Sequence, residues 1–110
     1  MHFTIRPFRR IPLCCPVAYQ VEQFEGFGMV WNVTPMGWRF SGDLPLRVGE
    51  VCSLTVTLPT HQEIYVAAAI VRWVRAEEYG VETLVIDAES REDLDQFLSE
   101  WTAEAPGADG

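Results

Sequence analysis

Arg6 and Arg10 stand four residues apart near the start of the chain, with Arg9 beside them. A guanidinium is a planar fork that matches phosphate oxygens bidentately and stacks on flat rings. Two of them at this spacing suit a small phosphate-bearing ligand. A second group follows as Asn32-x-Thr34-x-x-Gly37. On a strand, residues 32 and 34 share a face, so both side chains can reach one ligand. Asn offers one amide acceptor and two donors, and Thr offers a hydroxyl, a set that can read the edge of a purine. Gly37 lets the backbone turn closely where a side chain would obstruct it. Trp38 comes next and can cap such a site or crowd it. The candidate binding set is therefore Arg6, Arg9, Arg10, Asn32, Thr34, Gly37 and Trp38.

The charge pattern narrows the ligand. The formal net charge is -8, all eight cations are Arg, and three of them lie in the first ten positions. Proteins that bind nucleic-acid polymers neutralise many phosphates over a basic face. A cationic arm on an acidic body fits a small anion better than a polymer or an anionic membrane surface. No apolar run approaches the roughly 20 residues that span a bilayer, so no membrane insertion is expected. The opening Met1-His2-Phe3-Thr4-Ile5 lacks a secretory apolar stretch. Cys14, Cys15 and Cys52 are an odd set without zinc-like spacing, read as reduced and mostly buried thiols of a cytoplasmic protein. No nucleophile–base pattern or phosphate-cradling Gly loop stands out, so neither an enzyme nor a cofactor is expected.

These residues need elements to position them, and the dominant period is two. Leu13, Cys15, Val17, Tyr19 and Val21 fall on one face of a first strand, and Pro16 within it requires an edge or bulge position. In the second strand Phe27, Met29, Trp31 and Val33 face one way, and Asn32 and Thr34 the other. A short strand over Trp38 to Ser41 sits between the second and fourth. Cys52, Leu54, Val56 and Leu58 alternate with Ser53, Thr55 and Thr57 in the fourth. Glu63 to Arg75 is apolar on both faces for most of its length, as for a central, covered strand, and Tyr79 to Ile86 completes six. Turns are expected at Glu25-Gly26, over Thr34 to Gly37, over Gly42 to Gly49, and over Pro59 to Gln62. The period changes near the end, where Leu94, Phe97, Leu98 and Trp101 form a helical stripe. The helix is expected from about Arg91 to Thr102, with Ser90 as N-cap and Asp93 at the capping-box position. The fold class is mainly β, a six-stranded antiparallel barrel with one C-terminal α-helix. Residues 1–10 are expected to form a flexible basic arm, 11–102 the barrel and helix, and 103–110 a disordered tail.

Taken in order, Arg6-x-x-x-Arg10 and Asn32-x-Thr34-x-x-Gly37 resemble the bipartite RxxxR and [D/N]xSxxG signature of PilZ domains. The resemblance continues through Asp43 to Glu50, Ile70-Val71-Arg72-Trp73 and the helix from Ser90 to Leu94. It implies a PilZ-type β-barrel that binds the bacterial second messenger cyclic di-GMP. Arg6 and Arg10 would then clamp phosphates and stack on guanine, and Asn32 and Thr34 would hydrogen-bond a guanine edge. Thr34 stands where the family usually has Ser, and Trp38 where it often has a second Gly. The implied function is a receptor whose arm closes over cyclic di-GMP and re-presents the surface to an unidentified downstream protein. The alternative is a PilZ-like adaptor that binds no nucleotide and acts through protein contacts in pilus or motility machinery. Ile5, just before the first motif Arg, favours a single bound ligand. Arg72 and Arg75 read as surface ion-pair partners of the many carboxylates. Trp31, Trp38, Trp73 and Trp101 read as core or barrel-rim residues.

Overall fold

The computed structural model describes residues 11–104, with side chains over 14–100. The expected arm with Arg6, Arg9 and Arg10, and the tail from 105 onward, lie outside the described residues. Six strands run in order: β1 (Ile11–Val21), β2 (Phe24–Thr34), β3 (Gly37–Gly42), β4 (Val51–Thr57), β5 (Glu63–Arg75) and β6 (Glu78–Ile86). The helix α1 (Ala88–Glu104) follows. The strands close into an antiparallel barrel in the order β1-β2-β3-β6-β5-β4. β3 therefore lies between β2 and β6, not beside β4, which pairs with β1 and β5 instead.

Period-two alternation fills the interior. Cys15, Val17 and Tyr19 of β1 point in, as do Cys52, Leu54 and Val56 of β4, Ile64, Val66, Ala69 and Val71 of β5, and Tyr79 and Val81 of β6. Full burial of such side chains contributes about 1.5–3 kcal/mol each. The rings of Tyr19, Phe40 and Tyr79 pack with centroids 4.9–6.4 Å apart. The Tyr19 hydroxyl donates to the Leu44 carbonyl and accepts from the Leu44 amide, both at 2.7 Å. This pins the 43–50 loop to one end of the barrel. The buried thiol of Cys52 is pushed up to about 11 and the Tyr19 phenol to about 12, in both cases chiefly by loss of solvent.

The structure departs from several sequence expectations. The β1–β2 turn lies at Glu22 and Gln23, with Glu22 in the left-handed region at φ 56°, and not at Glu25-Gly26. Gly26 is instead an inward position of β2, where a Cβ would overlap the Tyr19 ring and Leu44. Phe27, Met29, Trp31 and Val33 do not share a face. Val30 pairs with Phe40 and Asn32 with Arg39, so Trp31 is an extra, bulged residue, and the alternation flips across it. Val30 and Val33 are buried while Phe27 and Trp31 are exposed. Asn32 and Thr34 do lie on the outward side. β5 is not covered on both faces: Tyr65, Trp73 and Val74 are exposed. Pro16 pairs with Met29 beside a bulge and sits one residue beyond the β1–β4 ladder, which starts at Val17, so its missing donor costs no bond there.

The helix starts three residues earlier than its pattern suggests and runs to Glu104. Asp87 is its N-cap, accepting from the Ser90 amide at 2.7 Å through Oδ1. Ser90 is thereby freed to tie the helix to the barrel: its hydroxyl accepts from the Tyr65 amide at 3.0 Å. Leu94, Phe97 and Leu98 are buried, as the helical stripe requires, and the helix packs on β5. No helix among the described residues is long and apolar enough to cross a membrane.

Candidate functional site

At the end of the barrel where β2 turns into β3, the outer surface opens into a cleft of about 530 Å³. Its wall on β2 and β3 carries Asn32, Thr34, Gly37, Trp38 and Arg39, and its wall on β5 and β6 carries Arg72, Trp73, Arg75 and Gly80. Two bulges shape it. One makes Trp31 and Asn32 consecutive outward residues of β2, and the other does the same for Arg72 and Trp73, because Val71 pairs with Val81 and Trp73 with Gly80. Bulges of this kind re-aim side chains at functional sites.

Four residues singled out from the sequence therefore meet in one cleft. The Thr34 hydroxyl oxygen accepts from the Met36 amide at 3.2 Å and the Gly37 amide at 3.1 Å, which fixes the turn. Its own proton remains free to be donated. The half-buried Asn32 amide has no hydrogen-bond partner among the described residues. Gly37 is required by a close approach rather than by its dihedral angle: a Cβ would run into the Val81 carbonyl oxygen across the β3–β6 pair. Trp38 is buried, 3% exposed, and its indole N–H donates to the Thr83 hydroxyl at 3.1 Å. It floors the cleft and neither caps nor crowds its mouth. From the helix, Arg91 donates to the Pro35 carbonyl at 2.9 Å and holds the turn from behind.

The opposite wall was not singled out for binding from the sequence. The Trp73 indole lies over Gly80, where a Cβ would overlap it. The guanidiniums of Arg39 and Arg75 each lie 5.9 Å from its ring centre, within cation–π range. Arg39 pairs with Glu78 at 2.9 Å and Arg72 with Glu82 at 2.7 Å. Arg72 is thus the surface ion-pair partner its composition suggested. Arg75 makes no ion pair among the described residues, and its guanidinium sits by the indole. Arg39 Nε is buried with no hydrogen-bond partner among them. The signal in the sequence is the broken alternation of Val71-Arg72-Trp73-Val74-Arg75, opposite a strand glycine, Gly80. Trp73 and Trp31 both lie outside the core; the Trp31 indole N–H donates to the Ser41 hydroxyl at 3.0 Å.

The cleft presents an indole with guanidinium groups over its ring, and amide and hydroxyl groups on the facing wall. Such a combination suits a planar heterocycle attached to an anion. The start of β1 is adjacent, since Ile11 pairs with Val33 and Pro12 with Asn32. No group of three His, Cys, Asp or Glu among the described residues is placed to hold a metal ion.

The family model for the PilZ domain matches residues 4–100. Among solved structures, the Bacillus subtilis inhibitor of motility MotI/DgrA is similar, with a TM-score of 0.74 and 21% identity. The match covers 92% of this chain and 52% of that one, so this chain spans about half the length of MotI/DgrA. The PilZ domain of CeSA from a cellulose-synthesizing bacterium is similar at a TM-score of 0.66 and 12% identity, over 84% of this chain and 97% of that one. A search of curated proteins returns no match.

Proposed function

Because the chain belongs to the PilZ domain family, we propose that it is a cyclic di-GMP receptor of the bacterial cytoplasm that passes the signal to a partner protein and catalyses nothing. The observation that carries this reading is the convergence of Asn32, Thr34 and Gly37 with Trp73, Arg39 and Arg75 around one cleft. A guanine ring stacks with Trp73 and with the guanidinium groups that lie over its ring. Asn32 and the Thr34 hydroxyl bond the purine edge. Arg6 and Arg10, with Arg9 beside them, take the phosphates from an arm rooted one residue from Pro12, which pairs with Asn32.

Magnitudes allow useful affinity. Base–aromatic stacking contributes about 1–3 kcal/mol per base, and hydrogen bonds to charged groups about 1.5–3 kcal/mol each. A micromolar complex needs about -8 kcal/mol. Ordering the arm costs about 1–2 kcal/mol per residue fixed, which keeps the expected affinity micromolar rather than picomolar. On binding, the arm closes over the ligand, and the repositioned arm and barrel surface becomes what the partner reads.

Titration calorimetry with cyclic di-GMP tests this. The expected result is micromolar binding that weakens about tenfold to a hundredfold in Arg10→Ala. Unchanged affinity in that variant removes the arm from the mechanism. The adaptor reading has its own support: the Thr34 oxygen already accepts two turn amides, and Arg39 and Arg72 are already paired with Glu78 and Glu82. Absence of both heat and a ligand-induced rise in melting temperature at large excess would favour it.

A further inference from the structure

The outward face of β1 and β2 is more apolar than that of its neighbour β4. Beyond Val51 at its start, β4 turns Ser53, Thr55 and Thr57 away from the core. β1 and β2 turn out Cys14, Pro16, Ala18, Phe27, Met29 and Trp31. These six are contiguous: Ala18 pairs with Phe27 and Pro16 with Met29, and Cys14 lies beside the bulged Trp31. Phe27 is 59% exposed and Trp31 40%. A monomer seldom exposes so continuous an apolar surface unless something binds there. The barrel is closed, so a partner has no strand edge to pair with and must dock on side chains.

Charge around the face identifies the occupant. Glu22 and Glu25 flank it at the hairpin end, with Asp43 next to Phe27, whose amide donates to the Asp43 carboxylate at 2.9 Å. Beyond Ser41 on the β3 side lie Glu77 and Glu78, and Glu78 already pairs with Arg39. A second copy docked by a two-fold operation would set this acidic rim against itself, in a chain of net charge -8. We propose that the outer β1–β2 face docks a segment of another protein that carries apolar side chains flanked by Lys or Arg. The apolar side chains cover Phe27, Met29 and Trp31, and the cations meet Glu22, Glu25 and Asp43. This inference does not rest on nucleotide binding.

The test uses the full chain and two synthetic probes, an amphipathic peptide of Leu and Lys and its twin with Glu in place of Lys. The Leu/Lys peptide should bind and shift amide resonances chiefly at Ala18, Phe27, Met29 and Trp31, and the Leu/Glu twin should bind at least about tenfold more weakly. Phe27→Ser, at an exposed position, should weaken binding about tenfold. Glu25→Lys, at the rim, should weaken the Leu/Lys peptide and strengthen its twin. Equal binding by wild type and both variants would overturn the proposal, as would resonance shifts centred on α1. So would sedimentation showing a wild-type dimer that Phe27→Ser dissociates, because the face would then belong to a second copy.

Discussion

The two ends of this barrel are built on opposite terms. At the Leu44 end polar groups answer one another: the Tyr19 hydroxyl both donates to and accepts from Leu44, and Gly26, Gly28 and Gly42 let backbone and ring close without a gap. At the cleft end several do not. The Asn32 amide and Arg39 Nε lack partners among the described residues, Arg75 has only a ring beside it, and the Trp73 indole is 38% exposed. A buried unpaired polar group such as Arg39 Nε costs stability, whereas the half-buried Asn32 amide and the exposed Arg75 can still meet water. The closed end therefore holds the barrel together, and on the proposed function the open end takes the ligand. Substitutions should separate accordingly, with stability lost at one end and affinity at the other.

The largest effect is expected from Gly28→Ala. A Cβ there would overlap the Ser41 carbonyl oxygen across the β2–β3 pair, and backbone cannot swing aside as a side chain can. Overpacking of this kind costs about 1–3 kcal/mol and occasionally more. Urea denaturation should show a loss of about 3 kcal/mol, the upper part of that range. A variant as stable as wild type would mean that the closed end is loosely packed, and the contrast between the ends would fail.

Alkaline pH probes the same end without mutation. In an unfolded chain Cys52 loses its proton near 9.0 and Tyr19 near 10.0, whereas the fold keeps both protonated to about 11 and about 12. Between pH 9 and 12 the unfolded state therefore releases protons first, and stability falls as pH rises. Each pKa unit is worth about 1.4 kcal/mol, so the total loss should be a few kcal/mol. Urea midpoints should be level below pH 9 and should drop above it, and Tyr19→Phe should flatten the upper part of the drop. A midpoint that stays constant to pH 11 would show that these groups are not shielded as the packing implies.

At the open end, Trp73→Ala should weaken cyclic di-GMP by about tenfold to a hundredfold, the equivalent of one stacked base at about 1–3 kcal/mol. Its melting temperature should stay near that of wild type, because the indole lies on the outer surface over Gly80. Lost stability with unchanged affinity would reverse the assignment of the two ends.

How far the sequence led differs between these regions for physical reasons. Alternation in β1 and β4 is uninterrupted, so Cys15, Val17, Tyr19, Cys52, Leu54 and Val56 were placed correctly inside. The helical stripe of Leu94, Phe97 and Leu98 was equally clear. The failures gather where a local rule is broken by a long-range contact. Gly26 looked like a turn because nothing nearby in sequence reveals that Tyr19 and Leu44 press against it. Trp31 and Trp73 looked like core or rim because a bulge leaves no mark on composition. Ser90 looked like the N-cap until Asp87 took that role and Tyr65 claimed the hydroxyl. In the cleft, Asn32, Thr34 and Gly37 could be picked out because they fall within a short motif. Arg39, Trp73, Arg75 and Gly80 fall in no such motif, and only closure of the barrel brings β5 and β6 beside β3.

The smallest effect should come from Thr34, where the two roles overlap. Its oxygen accepts from the Met36 and Gly37 amides and so belongs to the fold, while its proton is free for a ligand. Thr34→Ser keeps both functions and removes one methyl group, which also loosens χ1. Affinity for cyclic di-GMP should change by less than about threefold, below 1 kcal/mol. Thr34→Ala removes both functions at once, and its half-buried, solvent-accessible setting keeps the loss near 1 kcal/mol in stability and in binding alike. If Thr34→Ser instead raised affinity more than tenfold, the methyl group would be obstructing the cleft, and the open end of the wild-type barrel would be tuned against its ligand rather than for it.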